Sequence, residues 1–239
     1  RADVNVAYGV WASSAYVRLN DVTVSTSGDM GIFVAGVRLS SWSSVEASSV
    51  TVYGAHGIVL EGSTMSLVSR STAVTGGLNV YALYLRDSSS NTVTQTLARK
   101  LGDQNGAALM VSSASNFNTV TQSTFTADAN GFSAALAFIE GSSSNTLSQV
   151  YAQNPSGFAG GFASGARNNR VKDSVFWSGV SDYAALLFVT SHENVVERVH
   201  ALNPAGQGLK MQDTSSWNSV SDSTMVVNMA PGASGTMSA

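Results

Sequence analysis

Few residues of this sequence combine a type and a spacing that could do chemistry. The 239 residues include 15 Asp and Glu, 12 Lys and Arg and three His, and there is no Cys. Without Cys, disulfides, thiolate catalysis and cysteine-based zinc or iron–sulfur sites are excluded. His56, His192 and His200 are scattered, and no second His or paired carboxylate stands near them at the spacing of metal ligands. The sequence therefore predicts neither a metal nor a cofactor.

Aromatic side chains are the remaining candidates for ligand binding. Trp177 follows Phe176 in a strand-like segment and is expected to point outward, and Trp217 directly precedes Asn218. An exposed indole offers a flat apolar surface with a polar N–H edge, which suits stacking on a sugar. We therefore take Trp177 and Trp217 as candidate carbohydrate contacts.

Composition excludes several classes of partner. Only 11% of the residues are charged, the net charge is −3 and 44% are hydrophobic, whereas a nucleic-acid-binding protein normally carries a basic stripe. The longest apolar runs, 134–139 and 184–189, are far shorter than the roughly 20 residues of a membrane helix. The sequence thus predicts no nucleic-acid partner and no membrane span.

An internal repeat organises the chain. The segments Ser88–Gln95, Asn116–Gln122 and Ser142–Gln149 are near copies, and more degenerate copies follow. One Asn marks each copy and recurs every 24 to 27 residues; these are Asn91, Asn118, Asn145, Asn169, Asn194 and Asn218. Weaker copies are predicted to start near Asn20, Ser43 and Ser66, which makes about nine units of about 25 residues.

The pattern within each unit predicts short strands. The second residue after the Asn is always aliphatic and the seventh is always apolar, alternating between small and large from Ala98 and Phe125 to Ala201 and Met225. Period-2 alternation with many Val and Thr is typical of β-strands. Strands this short cannot bury themselves alone, so we expect the units to stack coil on coil about 4.8 Å apart. Stacked Asn side chains would then hydrogen-bond along the axis as a ladder.

The repeat resembles that of right-handed parallel β-helix proteins. In this chain, each repeat consists of a Gly, an apolar strand, a Ser-Ser-x-Asn turn and a Val-centred strand. The repeat is clear over 83–225 and looser over 1–80. The resemblance implies an all-β, single-domain right-handed parallel β-helix (solenoid) over 1–239. Such repeats occur in pectin-acting enzymes, phage tailspikes, alginate epimerases, NosD-like proteins and long repetitive bacterial surface proteins. The sequence of Ser88–Gln95 is most similar to repeats of the last group. The chain is thus expected to be a fragment of a longer repetitive protein.

Charged residues recur at two positions of the repeat and support two interpretations. Asp173, Arg198 and Asp222 share one position, and Lys172 and Glu197 share the one before it. The favoured interpretation is a surface ladder of alternating charge; the other is an acid/base pair with an Arg clamp, as glycoside hydrolysis requires. No lyase, hydrolase or epimerase signature is present, so the sequence argues against an enzyme without excluding one.

Two functions are consistent with these features. The first is a structural segment of an extracellular or cell-surface fibre, adhesin or filament, with partners supplied by end-to-end self-association or by further coils. The alternative is a carbohydrate-binding or carbohydrate-active β-helix whose partner is a polysaccharide. A fold of this kind hosts many activities, so the sequence predicts the fold better than the function.

Overall fold

A computed structural model describes residues 8–13, 16–26, 35–102, 105–128 and 133–227. In these residues the chain forms short β-strands, three per coil. The first three coils contain β1 (Tyr8–Ala12), β2 (Arg18–Asn20), β3 (Thr23–Ser25), β4 (Ala35–Leu39), β5 (Ser44–Glu46), β6 (Ser49–Tyr53), β7 (His56–Glu61), β8 (Leu67–Ser69) and β9 (Thr72–Gly76). The middle coils contain β10 (Val80–Arg86), β11 (Thr92–Thr94), β12 (Leu97–Leu101), β13 (Gly106–Ser112), β14 (Thr119–Thr121), β15 (Thr124–Ala127), β16 (Ala134–Phe138), β17 (Thr146–Ser148) and β18 (Tyr151–Asn154). The last coils contain β19 (Phe158–Ala163), β20 (Arg170–Lys172), β21 (Val175–Ser178), β22 (Ala184–Val189), β23 (Val195–Glu197), β24 (His200–Asn203), β25 (Gln207–Gln212), β26 (Ser219–Ser221) and β27 (Thr224–Val227).

The strands assemble into three parallel sheets. Sheet A contains the first strand of every coil, sheet B the second and sheet C the third, and each sheet has nine strands. Because each strand pairs in parallel with its equivalents in the adjacent coils, the chain winds as a solenoid. The predicted all-β solenoid of short parallel strands is confirmed. Among the described residues, no helix is long and apolar enough to cross a membrane.

The Asn ladder connects six coils through their buried side chains. The Nδ2 of Asn118 donates to Asn145 Oδ1 at 3.0 Å, while Asn118 Oδ1 accepts from the backbone N–H and the Nδ2 of Asn91. The same contacts run on through Asn169 and Asn194 to Asn218 at 2.9–3.0 Å. Each side-chain amide thus finds its partners in neighbouring coils, which removes the cost of burying it.

The ladder continues toward the N-terminus with shorter side chains. Ser66 N–H donates to Asn91 Oδ1, Ser43 N–H donates to Ser66 Oγ, and Val17 N–H donates to Ser43 Oγ. Ser43 and Ser66 therefore stand where the repeat predicts them. The prediction of Asn20 is wrong, because Arg18 pairs with Ser44 and this register puts Val17 at the ladder position. An aliphatic residue there has no side-chain signal by which the repeat could be aligned.

The core is built from columns of equivalent residues. At the position where small and large residues alternate, Ala98, Phe125, Ala152 and Phe176 lie on one another in sheet C and are fully buried. A glycine in sheet A makes room for one of the large residues, because a Cβ added at Gly160 would lie 2.5 Å from the Phe176 ring. Farther along sheet A, the rings of Phe138, Phe162 and Phe188 stack with centroids 5.3 and 5.0 Å apart. Each coil therefore packs both against its neighbours and across the solenoid.

Left-handed residues turn the chain between sheets B and C. In all nine coils the residue between the two strands has a positive φ; the column comprises Asp21, Ala47, Arg70, Gln95, Gln122, Gln149, Asp173, Arg198 and Asp222. Non-glycine residues adopt this conformation at a steric cost. The corner is supported by its stacking, because the Gln95 N–H donates to Thr121 O at 3.2 Å in the next coil and equivalent bonds recur.

We expect Asn118→Ala to lower the free energy of unfolding by about 2–4 kcal/mol, because it removes the bonds of the amide to two neighbouring coils and leaves the Asn91 N–H and the Ser88 carbonyl without that partner. Gln122→Asn, at an exposed left-handed corner of the same coil, is the control and should change stability by less than about 0.5 kcal/mol. Urea unfolding followed by circular dichroism measures both. Equal effects of the two changes would show that the ladder adds nothing specific.

Candidate functional site

The outer face of sheet C carries a depression that contains polar, charged and apolar groups. Its volume is about 320 Å³, and we call it the sheet C depression; its lining comprises Leu97, Arg99, Thr126, Ala127, Asp128, Gln153 and Pro155. The floor comes from β12, β15 and β18, which are adjacent in the sheet. Asp128 and Pro155 follow β15 and β18 and form its rim.

Strand register places the functional side chains in one line. Arg99 lies opposite Thr126, Thr126 opposite Gln153, and Gln153 opposite Trp177. All four come one residue after a buried core position, so the strand alternation turns them outward. Because neighbouring strands are roughly 4.8 Å apart, Arg99 and Trp177 are separated by about 14 Å along the solenoid axis. The line joins a cation, a hydroxyl, an amide and an indole on a rigid sheet.

The polar groups of the depression are already partly oriented. Arg99 Nη2 lies 3.9 Å from Asp128 Oδ2, and both side chains are about half exposed, at 53% and 54%. The Tyr151 hydroxyl donates to Gln153 Oε1 at 3.1 Å. This bond fixes the amide of Gln153 with its oxygen toward Tyr151. A guanidinium, a carboxylate and an amide thus lie together in the lining of one depression.

Trp177 borders this line and is half-buried. A Cβ added at Gly179 would lie 3.0 Å from Trp177 Cη2 and 2.9 Å from Pro155 O. Glycine at 179 thus leaves the space in which the indole packs beside the Pro155 loop. Packing on one side restricts the ring, which is the condition for a preformed aromatic contact.

Trp217, the second Trp predicted to contact carbohydrate, lies elsewhere. It stands in the turn before β26, between sheets A and B, and is 85% exposed. Trp177 belongs to β21 of sheet C. The structure therefore does not bring the two predicted indoles into one site.

The predicted charge ladder lies at the corner of sheets B and C. Arg198 donates from Nε and Nη2 to the two carboxylate oxygens of Asp173, at 2.7 and 3.2 Å, and also pairs with Glu197. Arg170 Nη2 lies 2.5 Å from Glu197 Oε2. The Arg198 hydrogen bond lowers the pKa of Asp173, and the bonds from Arg170 and then Arg198 lower the pKa of Glu197. Both carboxyls are thus ionised at neutral pH and neither can act as a general acid. This favours the ladder interpretation over the acid/base one, with Arg170 as a partner of Glu197 that the repeat did not indicate.

An aromatic cluster on the outer face of sheet A was missed by sequence reasoning. His56 opens β7, and its Nδ1 accepts the Tyr81 N–H at 3.0 Å. Its ring stacks on Tyr81 with centroids 5.1 Å apart, and Tyr84 packs edge-on against Tyr81 and bonds Ser112 Oγ at 3.1 Å. Burial, with smaller effects of Tyr84 and Glu140, raises the pKa of Tyr81. The phenol therefore stays protonated at neutral pH.

Metal binding is not indicated in the described parts of the chain, which contain no group of three His, Asp or Glu side chains able to hold an ion.

Sequence reasoning also missed the residues of the sheet C depression as a group, although their position in the repeat was visible. Arg99, Thr126, Gln153 and Trp177 each stand eight places after a ladder Asn. Only the outward direction of that position could be read from the pattern; the depression depends on the loops of Asp128 and Pro155.

Comparison with known proteins places this geometry in context. The family model described as "Right handed beta helix region" matches residues 3–149. No curated protein matches the chain at a significant level.

Solved structures share the fold at low sequence identity. Full-length tailspike protein 2 of an Escherichia coli O157:H7 bacteriophage has a TM-score of 0.55 and 10% identity over 94% of this chain and 44% of its own. DFA-IIIase from Arthrobacter chlorophenolicus A6 without its lid has a TM-score of 0.54 and 11% identity over 87% of this chain and 65% of its own. The enzymatically active domain of bacteriophage CBA120 tailspike protein 2 has a TM-score of 0.50 and 11% identity over 80% and 39%. This chain spans less than two thirds of each of them, and the likeness is one of fold.

The pKa shifts at the charge ladder lead to a pH prediction. We expect Asp173 and Glu197 to titrate below the usual values of about 3.9 and 4.3, and Arg198→Gln to raise the pKa of Asp173 more than that of Glu197, which keeps Arg170. A carboxyl with a lowered native pKa stabilises the fold above its unfolded pKa and loses that contribution as the pH falls through the native pKa. The stability difference between wild type and Arg198→Gln should therefore vanish in strong acid.

Carboxyl titration by NMR and urea unfolding from pH 7 to pH 2 measure these effects. Arg18→Gln is the matched control, since Arg18 lies in the first coil, 3.5 Å from Glu46, and should leave Asp173 unchanged. An Asp173 pKa that is the same in wild type and Arg198→Gln would contradict the prediction.

Proposed function

This chain belongs to the right-handed β-helix family, and we propose that it is a carbohydrate-binding member that holds a glycan in the sheet C depression. The observation that carries the proposal is the line of Arg99, Thr126, Gln153 and Trp177 on one rigid face beside a depression of about 320 Å³. Concave sites with an apolar surface and a few oriented polar groups are typical of small-ligand binding.

The chemistry of the depression matches a sugar. The Arg99 guanidinium and the Gln153 amide can donate to ring and hydroxyl oxygens, and the Asp128 carboxylate can accept from hydroxyl groups. Trp177 supplies a flat apolar contact at one end of the line. Each of these groups lies on a sheet or on its immediate rim, so little order is lost when a ligand binds.

Charge favours a neutral glycan. Arg99 and Asp128 carry opposite charges 3.9 Å apart and balance each other. The whole chain carries a net charge of −3, which repels polyanions at long range. We therefore expect neutral oligosaccharides to bind better than uronic acid polymers.

Binding is better supported than hydrolysis. Asp128 is the single carboxylate among the lining residues, whereas glycoside hydrolysis uses two carboxyl groups. Asp173 and Glu197 lie outside the lining and are bound to arginine. A binding module agrees with the absence of lyase, hydrolase and epimerase signatures in the sequence.

The comparisons support the carbohydrate alternative better than a fibre or adhesin. Among the neighbours are tailspikes, one represented by an enzymatically active domain, and DFA-IIIase, which also has a structure in complex with GF2. An extracellular location is part of the proposal. End-to-end association stays a separate prediction of the sequence.

We expect wild-type protein to bind one of the neutral cello-, chito- or malto-oligosaccharides, and Trp177→Ala and Gln153→Ala each to weaken that binding about tenfold, or about 1.4 kcal/mol. Isothermal titration calorimetry measures the affinities after a glycan array selects the sugar. Tyr53→Ala is the control, because Tyr53 is a 55% exposed aromatic residue of the same sheet that does not belong to the lining of the depression.

Two results would count against this function. One is the absence of any glycan binding by the folded wild-type protein. The other is binding that Trp177→Ala and Gln153→Ala leave unchanged while circular dichroism shows that both variants are folded.

A further inference from the structure

The corner between sheets A and B places bulky residues in a conformation that suits them poorly. Trp42, Met65, Phe117 and Trp217 each directly precede the ladder position and have φ of 62°, 54°, 56° and 63°. We call these four residues, three aromatic and one Met, the aromatic corner. Left-handed backbone is unfavourable for large side chains and is normally occupied by Gly, Asn or Asp.

The fold does not require large side chains at this corner. Four other coils have smaller or polar residues at the same position; these are Ser90, Ser144, Asn168 and Glu193, with φ of 58°, 56°, 54° and 55°. Burial does not compensate for the strain either, because Trp42, Phe117 and Trp217 are 58%, 64% and 85% exposed. Strained and exposed aromatic residues that the fold could replace point to a role in recognition.

A row of fixed polar groups runs beside the aromatic corner. Thr64 N–H donates to Ser41 Oγ at 3.0 Å, and Asn116 N–H donates to Ser89 Oγ at 3.2 Å. Both the N–H and the hydroxyl of Ser143 donate to Asn116 Oδ1 at 2.8 Å. From Ser41 to Ser143 this row contains hydroxyl and amide groups and no charged side chain; its members are Ser41, Thr64, Ser89, Asn116 and Ser143.

The spacing of the corner fits a polymer rather than a compact ligand. Trp42 and Met65 are in adjacent coils and Phe117 is two coils farther along, so they span about 14 Å at roughly 4.8 Å per coil. Trp217 lies four coils beyond Phe117, about 19 Å farther along. A ligand that contacts these residues together must be extended and parallel to the solenoid axis.

We propose that the aromatic corner is a second binding surface, which holds an extended neutral polysaccharide parallel to the solenoid axis. Trp42, Met65 and Phe117 contact apolar faces of the sugar rings, and the adjacent hydroxyl and amide row bonds to their hydroxyl groups. This surface lies on a different side of the solenoid from the sheet C depression and does not depend on it.

The test replaces aromatic residues with the residue that the fold already uses there. We expect the double variant Trp42→Asn, Phe117→Asn to lose retention on an insoluble neutral polysaccharide at least tenfold, in a depletion assay with cellulose, chitin and starch granules. Its midpoint of urea unfolding should stay the same or rise, because Asn suits a left-handed corner better. The matched control is Gln95→Asn, Gln122→Asn, at exposed left-handed positions of the corner between sheets B and C, which should leave retention unchanged.

The background variant Trp177→Ala separates the two sites. Retention that persists in Trp177→Ala and is lost on adding Trp42→Asn, Phe117→Asn supports the corner even if the sheet C depression binds nothing. The inference is overturned if the Trp177→Ala protein is retained on none of the three polysaccharides, or if the corner variants bind as wild type. A fall in the unfolding midpoint of the double variant would also overturn it, since the aromatic residues would then serve the fold.

Discussion

The structure depends on one constraint: the buried side-chain amides at the turn between sheets A and B find their partners in the coils above and below. The Asn ladder shows this most directly, because the amide of Asn145 donates to Asn169 and its oxygen accepts from Asn118. A shift of one residue in any coil would break these bonds and turn the core residues outward. The ladder therefore fixes the register in which all three sheets form, and the columns of core side chains follow from that register.

The same constraint separates the inside of the solenoid from its outside. Inward side chains must pack against their equivalents in the adjacent coils, by alternating small with large as Ala98 and Phe125 do, or by stacking as Phe138 and Phe162 do. Outward positions are free of this requirement. Each outer face can thus differ in chemistry on one scaffold, which is why sheet A bears an aromatic cluster while sheet C bears a polar depression.

Charge is rare because stacking brings equivalent residues together. Like charges about 4.8 Å apart in successive coils would repel each other, whereas Asn, Ser and Thr can bond to their own kind. At the corner of sheets B and C, Arg198 pairs with Asp173 and Glu197, and its hydrogen bond keeps the pKa of Asp173 low. The 11% charge content is then a property of the architecture, and it leaves a surface better suited to neutral ligands than to polyanions.

The sequence by itself determined the repeat, the inward direction of the ladder Asn residues and the alternation in the core, because strand periodicity and repeat spacing are local properties. It placed Ser43 and Ser66 but not the first coil, where Val17 has no polar signal. Only the tertiary structure decided which outward residues meet. His56 and Tyr81 are 25 residues apart yet stack, while Trp177 and Trp217 lie on different faces. The reason is physical: periodicity sets the direction of a side chain, whereas its neighbours are set by pairing between coils and by the loops, such as those of Asp128 and Pro155, that rise beside the sheet.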